Sequence, residues 1–138
     1  PVNVIYTNHV YSREIKPNDN QPIELKDSYG NCRIFDYERY FASYELPRII
    51  EDLSNMTIYH AKEDFMVISE AITPDGRTLD YGVFFKTYLS NNRTLTLRVK
   101  SAYTNDRGDL YKNTNGKINI FTLLHNTMNG KSIKSCPR

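Results

Sequence analysis

Residues 57–102 read TIYHAKEDFMVISEAITPDGRTLDYGVFFKTYLSNNRTLTLRVKSA, and four β-rich runs can be marked off in them: 57–62, 65–71, 79–89 and 94–102. Turn residues separate the runs, namely Glu63-Asp64, Pro74-Asp75-Gly76 and Ser90-Asn91-Asn92. Parallel neighbours need crossovers of a dozen residues or more, so links this short predict four consecutive strands in an antiparallel meander.

Upstream, Tyr37, Tyr40, Phe41, Tyr44, Ile49, Ile50 and Leu53 recur near three- and four-residue spacings, the period of a helix with one buried face. Pro47 is costly in a helix interior but suits a first turn. The firmer helix is therefore 47–54, preceded by a separate helix or an extended piece. Downstream, 117–121 could form a strand, but Ile120, Leu123, Leu124, Thr127 and Met128 have helical spacing and Asn129-Gly130 is a helix stop, which favours a helix over 118–128. The polar segment 104–115 reads as an exposed loop. The expected fold class is α+β: an antiparallel meander sheet of four or more strands, with a helix before it and a helix after it. One domain covers residues 1–138. Within it, residues 1–31 form an N-terminal arm, where Val2, Val4 and Tyr6 alternate as in a short strand, followed by an exposed loop rich in Pro, Asn, Asp and Gly.

The chain has 138 residues, 39% of them hydrophobic and 25% charged, an ordinary globular composition long enough to bury a core. Mean hydropathy is −0.60, and the apolar runs fall short of the ~18–20 residues of a membrane span. No membrane partner is expected. The first residues carry no basic and apolar leader pattern, and Cys32 and Cys136 lie far apart, so a reduced, cytoplasmic setting without a structural disulfide is the expectation. The net charge of +2 is unevenly spread. Residues 1–93 hold 10 Lys/Arg against 14 Asp/Glu, and residues 94–138 hold 8 against 2. A basic third of this kind suits a polyanion, since phosphate contacts need local positive charge, and it equally suits an ordinary solvated face.

Gly-x-Gly-x-x-Gly, the phosphate loop, His-Glu-x-x-His, Cys-x-x-Cys and Gly-x-Ser-x-Gly are all missing, so no nucleotide cofactor, common zinc site or serine-hydrolase elbow is indicated. His9, His60 and His125 are scattered singly, without ligand spacing, and no cofactor is expected. The positive signal lies on the strands. In 94–102, Thr96, Arg98 and Lys100 alternate with Leu95, Leu97 and Val99. The same period sets His60 and Lys62 on one face of 57–62 and singles out Lys86 beside Phe85. If these polar faces coincide, a histidine and several cations line one surface. Cleavage of RNA without a metal needs such a set: a base for the 2′-hydroxyl, an acid for the leaving 5′-oxygen, and cations for the phosphorane. His60, Arg98, Lys100 and His125 are the candidate catalytic residues. Lys62, Lys86, Ser101 and Tyr103 are the candidate substrate-binding residues, with Ser101 and Tyr103 placed at the strand end to touch a phosphate or stack on a base.

A helix followed by a four-stranded meander containing Leu95-Thr96-Leu97-Arg98-Val99-Lys100-Ser101-Ala102-Tyr103 resembles the barnase/EndoU/colicin/RelE superfamily of small ribonuclease toxins over residues 40–125. That resemblance implies a hydrolase or toxin acting on tRNA or mRNA, with Arg98 and Lys100 on the phosphate and His60 or His125 in proton transfer. A cognate inhibitor is then an expected partner. The alternative class is a non-enzymatic protein-binding module, such as an immunity protein or adaptor, which uses the aromatic segment 37–44 or the acidic two thirds. A free sheet edge would also allow a homodimer.

Overall fold

The computed structural model describes residues 2–20 and 25–131. The chain folds into an α+β structure with three α-helices and a large, mostly antiparallel sheet. In chain order the elements are β1 (Asn3–Tyr6), β2 (Ser12–Glu14), β3 (Leu25–Lys26), β4 (Cys32–Phe35), α1 (Tyr37–Ser43), α2 (Leu46–Glu51), β5 (Ile58–Ala61), β6 (Asp64–Ile72), β7 (Thr78–Leu89), β8 (Leu95–Asn105), β9 (Lys117–Ile118) and α3 (Ile120–Met128). The six-stranded sheet runs β1-β8-β7-β6-β5-β9, and β2-β4-β3 form a second, smaller sheet. Cys32 is exposed at the start of β4; Cys136 lies outside the described residues.

Strands β5 to β8 pair in succession through tight turns. Between β6 and β7, Gly76 takes φ +85° and donates its N–H to the Thr73 carbonyl at 2.9 Å, a left-handed conformation that Gly adopts without a Cβ clash. Part of the expected N-terminal arm joins the main sheet. Its first strand, β1, pairs in parallel with β8, Asn3 opposite Thr96 and Tyr6 opposite Val99.

The period of two sorts the long strands into two faces. Phe65, Val67 and Ala71 of β6, Tyr81, Val83 and Phe85 of β7, and Leu97 and Val99 of β8 point to one side. The helices cover that side with Ala42, Leu46, Ile49, Ile120 and Leu123. One extra residue interrupts β8: Phe85 is opposite Val99, yet Phe84 is opposite Ser101, so Lys100 is a bulge. Strict alternation would expel Ala102 and bury Ser101 and Tyr103. The bulge reverses the phase, so Ala102 enters the core and Tyr103 stacks on Phe84 across the open face.

Helix ends follow from their sequences. Asp36 accepts the Arg39 N–H at 3.0 Å to cap α1, Pro47 occupies the first turn of α2, and Asn119 accepts the Phe121 N–H at 2.7 Å to start α3 two residues later than the pattern predicts. Ile49, fully buried between α2 and the sheet, tests this packing. Ile49→Ala is expected to destabilise the fold by about 2–5 kcal/mol, read as a lower urea midpoint at unchanged slope.

Candidate functional site

The open face of the main sheet gathers most of the cations picked out in the sequence. Lys86 lies directly opposite Arg98 on the neighbouring strand, and the Lys100 bulge points the same way. Asp64, at the start of β6, stands 3.2 Å from Lys100 Nζ and 3.7 Å from Lys86 Nζ. Arg98 makes no ion pair among the described residues. Further along β8, the Tyr103 ring lies between Phe84 at 5.3 Å and the Arg39 guanidinium at 5.3 Å. Lys86, Arg98, Lys100, Ser101 and Tyr103 therefore share a face.

The two histidines expected to serve them do not. His60 is on the helix-covered side of β5, only 5% exposed, with its ring 5.2 Å from Phe65, and burial lowers its pKa. His125 is exposed on the outer surface of α3, beyond the core. The sheet stands between these two rings and Arg98. Lys62 lies past the end of β5 with φ +56° and lines a separate hollow of about 480 Å3 over Met66 and Leu110. Alternation cannot carry it onto the His60 face because the strand has already ended.

A different histidine occupies the place. Thr7 donates its hydroxyl to the Lys100 carbonyl at 2.7 Å and its N–H to the Val99 carbonyl at 3.1 Å, which ties the chain after β1 to the edge of β8. Thr7 Oγ1 also accepts the His9 N–H at 3.3 Å, and buried Val10 anchors the short 3-10 turn Asn8–Val10. Opposite, Asp27 organises a tight turn by accepting the N–H groups of Tyr29 at 3.0 Å and Asn31 at 2.9 Å. The two turns meet at His9 Nε2 and Asp27 Oδ2, 3.2 Å apart. His9, Asp27, Ser28, Tyr29, Arg98 and Lys100 line one cavity of about 220 Å3.

The surroundings shift both members of the pair. Burial lowers the His9 pKa; the Asp27 hydrogen bond pulls the other way, and the positive charges of Arg33 and Arg39 reinforce the lowering. The surroundings therefore favour the neutral ring. Its bond to Asp27 puts the proton on Nε2 and leaves Nδ1 as an acceptor. Burial alone would raise the Asp27 carboxyl, but the backbone N–H of Asn31, the His9 ring and the Tyr29 N–H together hold it below the ordinary carboxylate value. A carboxylate orienting a neutral imidazole beside cations is a general-base arrangement.

His9 also borders a second cleft, of about 460 Å3, between the small sheet and β8. Arg33, 5% exposed, donates from Nε to Ser12 Oγ at 2.8 Å and from Nη2 to the Ser12 carbonyl at 2.9 Å. Arg39 reaches the same carbonyl at 2.6 Å and the His9 carbonyl at 3.1 Å. A larger hollow, about 1020 Å3, lies elsewhere, between Tyr44 and Arg48 on the helix side and Glu70 and Ile72 at the end of β6, and Arg48 is the one cation lining it among the described residues.

Sequence reading passed over His9 and Asp27 because they meet across 18 positions, beyond any local period, and the cations beside them lie on β8. The local signals were Asp27-Ser28-Tyr29-Gly30-Asn31, an Asp-initiated turn, and Thr7 ahead of Asn8 and His9, a hydroxyl cap. The pair's coupling can be read directly by NMR titration of the His9 ring. Asp27→Asn removes the groups that favour the imidazolium, so the His9 midpoint is expected to fall further below 6.5, whereas Arg39→Gln is expected to raise it. A midpoint that ignores both changes would mean that the two turns do not meet in solution.

No curated protein and no solved structure matches the chain, and nothing links it to the barnase/EndoU/colicin/RelE superfamily. One family model does match, over residues 1–128, so the match takes in the segment carrying His9 and Asp27 as well as the meander and α3. The chain belongs to the YjaZ family.

Proposed function

We propose that this protein is an endoribonuclease-like domain that cleaves RNA, of the tRNA or mRNA class, at the cavity between the His9 turn and β8. The observation that carries the reading is the His9–Asp27 pair opening on the same cavity as Arg98 and Lys100. His9 Nδ1 accepts the proton of the 2′-hydroxyl while Nε2–H stays on Asp27, whose charge stabilises the imidazolium that forms. The freed 2′-oxygen attacks phosphorus, and the bond to the 5′-oxygen breaks, leaving a 2′,3′-cyclic phosphate. Arg98 and Lys100 face the oxygens on which charge develops, and the Lys100 ammonium supplies the proton to the leaving 5′-oxygen. Tyr29, 85% exposed at the cavity rim, offers a ring on which a base can stack. The role resembles that of the small ribonuclease toxins, with the base supplied by His9 in place of His60 or His125.

A second reading rests on α1. Tyr37, Phe41 and Tyr44 are 60%, 40% and 69% exposed, and the Tyr40 and Tyr44 hydroxyls meet at 2.8 Å. Aromatic rings held on a short helix in this way suit a protein partner, as an adaptor or immunity protein would require.

Incubation with total tRNA and a long single-stranded RNA in EDTA separates the two. The parent chain is expected to give discrete fragments with cyclic phosphate ends. His9→Ala should slow cleavage about 10²–10⁴-fold and Arg98→Ala about 10²–10³-fold, while His125→Ala leaves the rate unchanged. Intact RNA in every lane, or full activity in His9→Ala, would overturn the ribonuclease reading and direct attention to α1.

A further inference from the structure

The cleft behind His9 contains two guanidinium groups with no carboxylate partner among the described residues. Arg33 is almost wholly buried and Arg39 is half-buried. Burial works most against both charges, with repulsion from Arg39 added at Arg33 and from Arg13 at Arg39; Asp27 and Glu14 at the first and Asp36 at the second act the other way without forming an ion pair, and a guanidinium keeps its proton in proteins. Their hydrogen bonds run to neutral oxygens, the Ser12 hydroxyl and the Ser12 and His9 carbonyls, none of which offsets the charge.

The nearby carboxylates are engaged elsewhere or lie on the rim. Asp19 takes both ends of the Arg13 guanidinium, at 2.9 and 2.7 Å. Asp36 caps α1 and stands 3.7 Å from Arg13, and Asp27 serves His9. Glu38 lies 3.6 Å from Arg77, and Glu14 is exposed. These bonds use Arg33 Nε and Nη2 and Arg39 Nη1, so Arg33 Nη1 and Arg39 Nε and Nη2 have no acceptor among the described residues. None of the three is sealed from solvent. Ser101 and Tyr103 close the far wall of the cleft.

We propose that this cleft is a second phosphate seat, in which Arg33 and Arg39 bind a phosphate flanking the one held by Arg98 and Lys100, with the His9 segment forming the wall between the two. The inference rests on the RNA reading above and narrows its substrate class to strands that carry a further phosphate beside the scissile one. Guanidinium donors without an acceptor among the described residues match the oxygens of a phosphate, and the Tyr103 ring against Arg39 helps to hold that guanidinium in place.

The test uses the full chain and uncleavable deoxy-dinucleotides. Thymidylyl-thymidine is compared with its forms bearing a terminal 5′- or 3′-phosphate, and the affinities are measured by calorimetry at fixed salt. One terminally phosphorylated form is expected to bind at least about tenfold more tightly than the unphosphorylated one. Arg39→Gln should erase that gain, and Arg39→Lys, which keeps the charge without the fork, should restore part of it. Arg98→Ala should weaken all three ligands while keeping their ratio.

Equal affinities in the parent chain overturn the proposal without recourse to any variant. So does loss of the gain in Arg98→Ala with its retention in a folded Arg39→Gln. A gain that depends on Arg39 in a protein that leaves RNA intact keeps the phosphate seat and removes the cleavage chemistry, so the two failures are distinct.

Discussion

One inserted residue organises the structure around it. Lys100 interrupts the β7–β8 ladder, and because side chains alternate at every step, everything after it on β8 changes sides. Ala102 goes to the core, and Ser101 and Tyr103 join Arg98 on the open face. Bulges bend the strand that carries them and re-aim its groups. Here the same residue offers its carbonyl to Thr7, the contact that fixes the turn holding His9. Core packing, the cation face and the seating of the N-terminal segment thus meet at one irregularity.

Charge is distributed around this point in a graded way. Asp64 partly neutralises Lys86 and Lys100, while Arg98, opposite Lys86, makes no ion pair among the described residues. The exposed ion pairs of the surface contribute little to stability, generally below about 1 kcal/mol each. The cations around His9 are of another kind: burial of the ring does most to lower its pKa, and the charges of Arg33 and Arg39 add to that lowering.

Much of the scaffold was legible because its causes are local. Turn chemistry at Pro74-Asp75-Gly76 and Ser90-Asn91-Asn92 fixed the order of the strands, Pro47 divided α1 from α2, and Asn129-Gly130 closed α3. The cations Lys86, Arg98 and Lys100 were also legible, since a period of two survives up to the bulge. His60 shows the limit of that method. Alternation says which residues share a face, and it is silent on which face the helices will cover. His9 and Asp27 show a second limit: their place beside the cations rests on Thr7 meeting Lys100, 93 positions along the chain. No window of sequence contains both.

The parallel pairing of β1 with β8 places the start of the chain beside a strand that begins at Leu95. During synthesis β1 emerges before the meander and has no strand to join until most of the meander has been made. Contacts of this sequence separation also form slowly, because a long loop must close before they yield any stabilisation. The seating of His9 beside the cations needs β8 in place, since β1 and Thr7 are held by that strand. Until β1 docks, the chain carries its cationic face without the imidazole, and any partner that captured the free edge of β8 in that interval would hold it in this unfinished form.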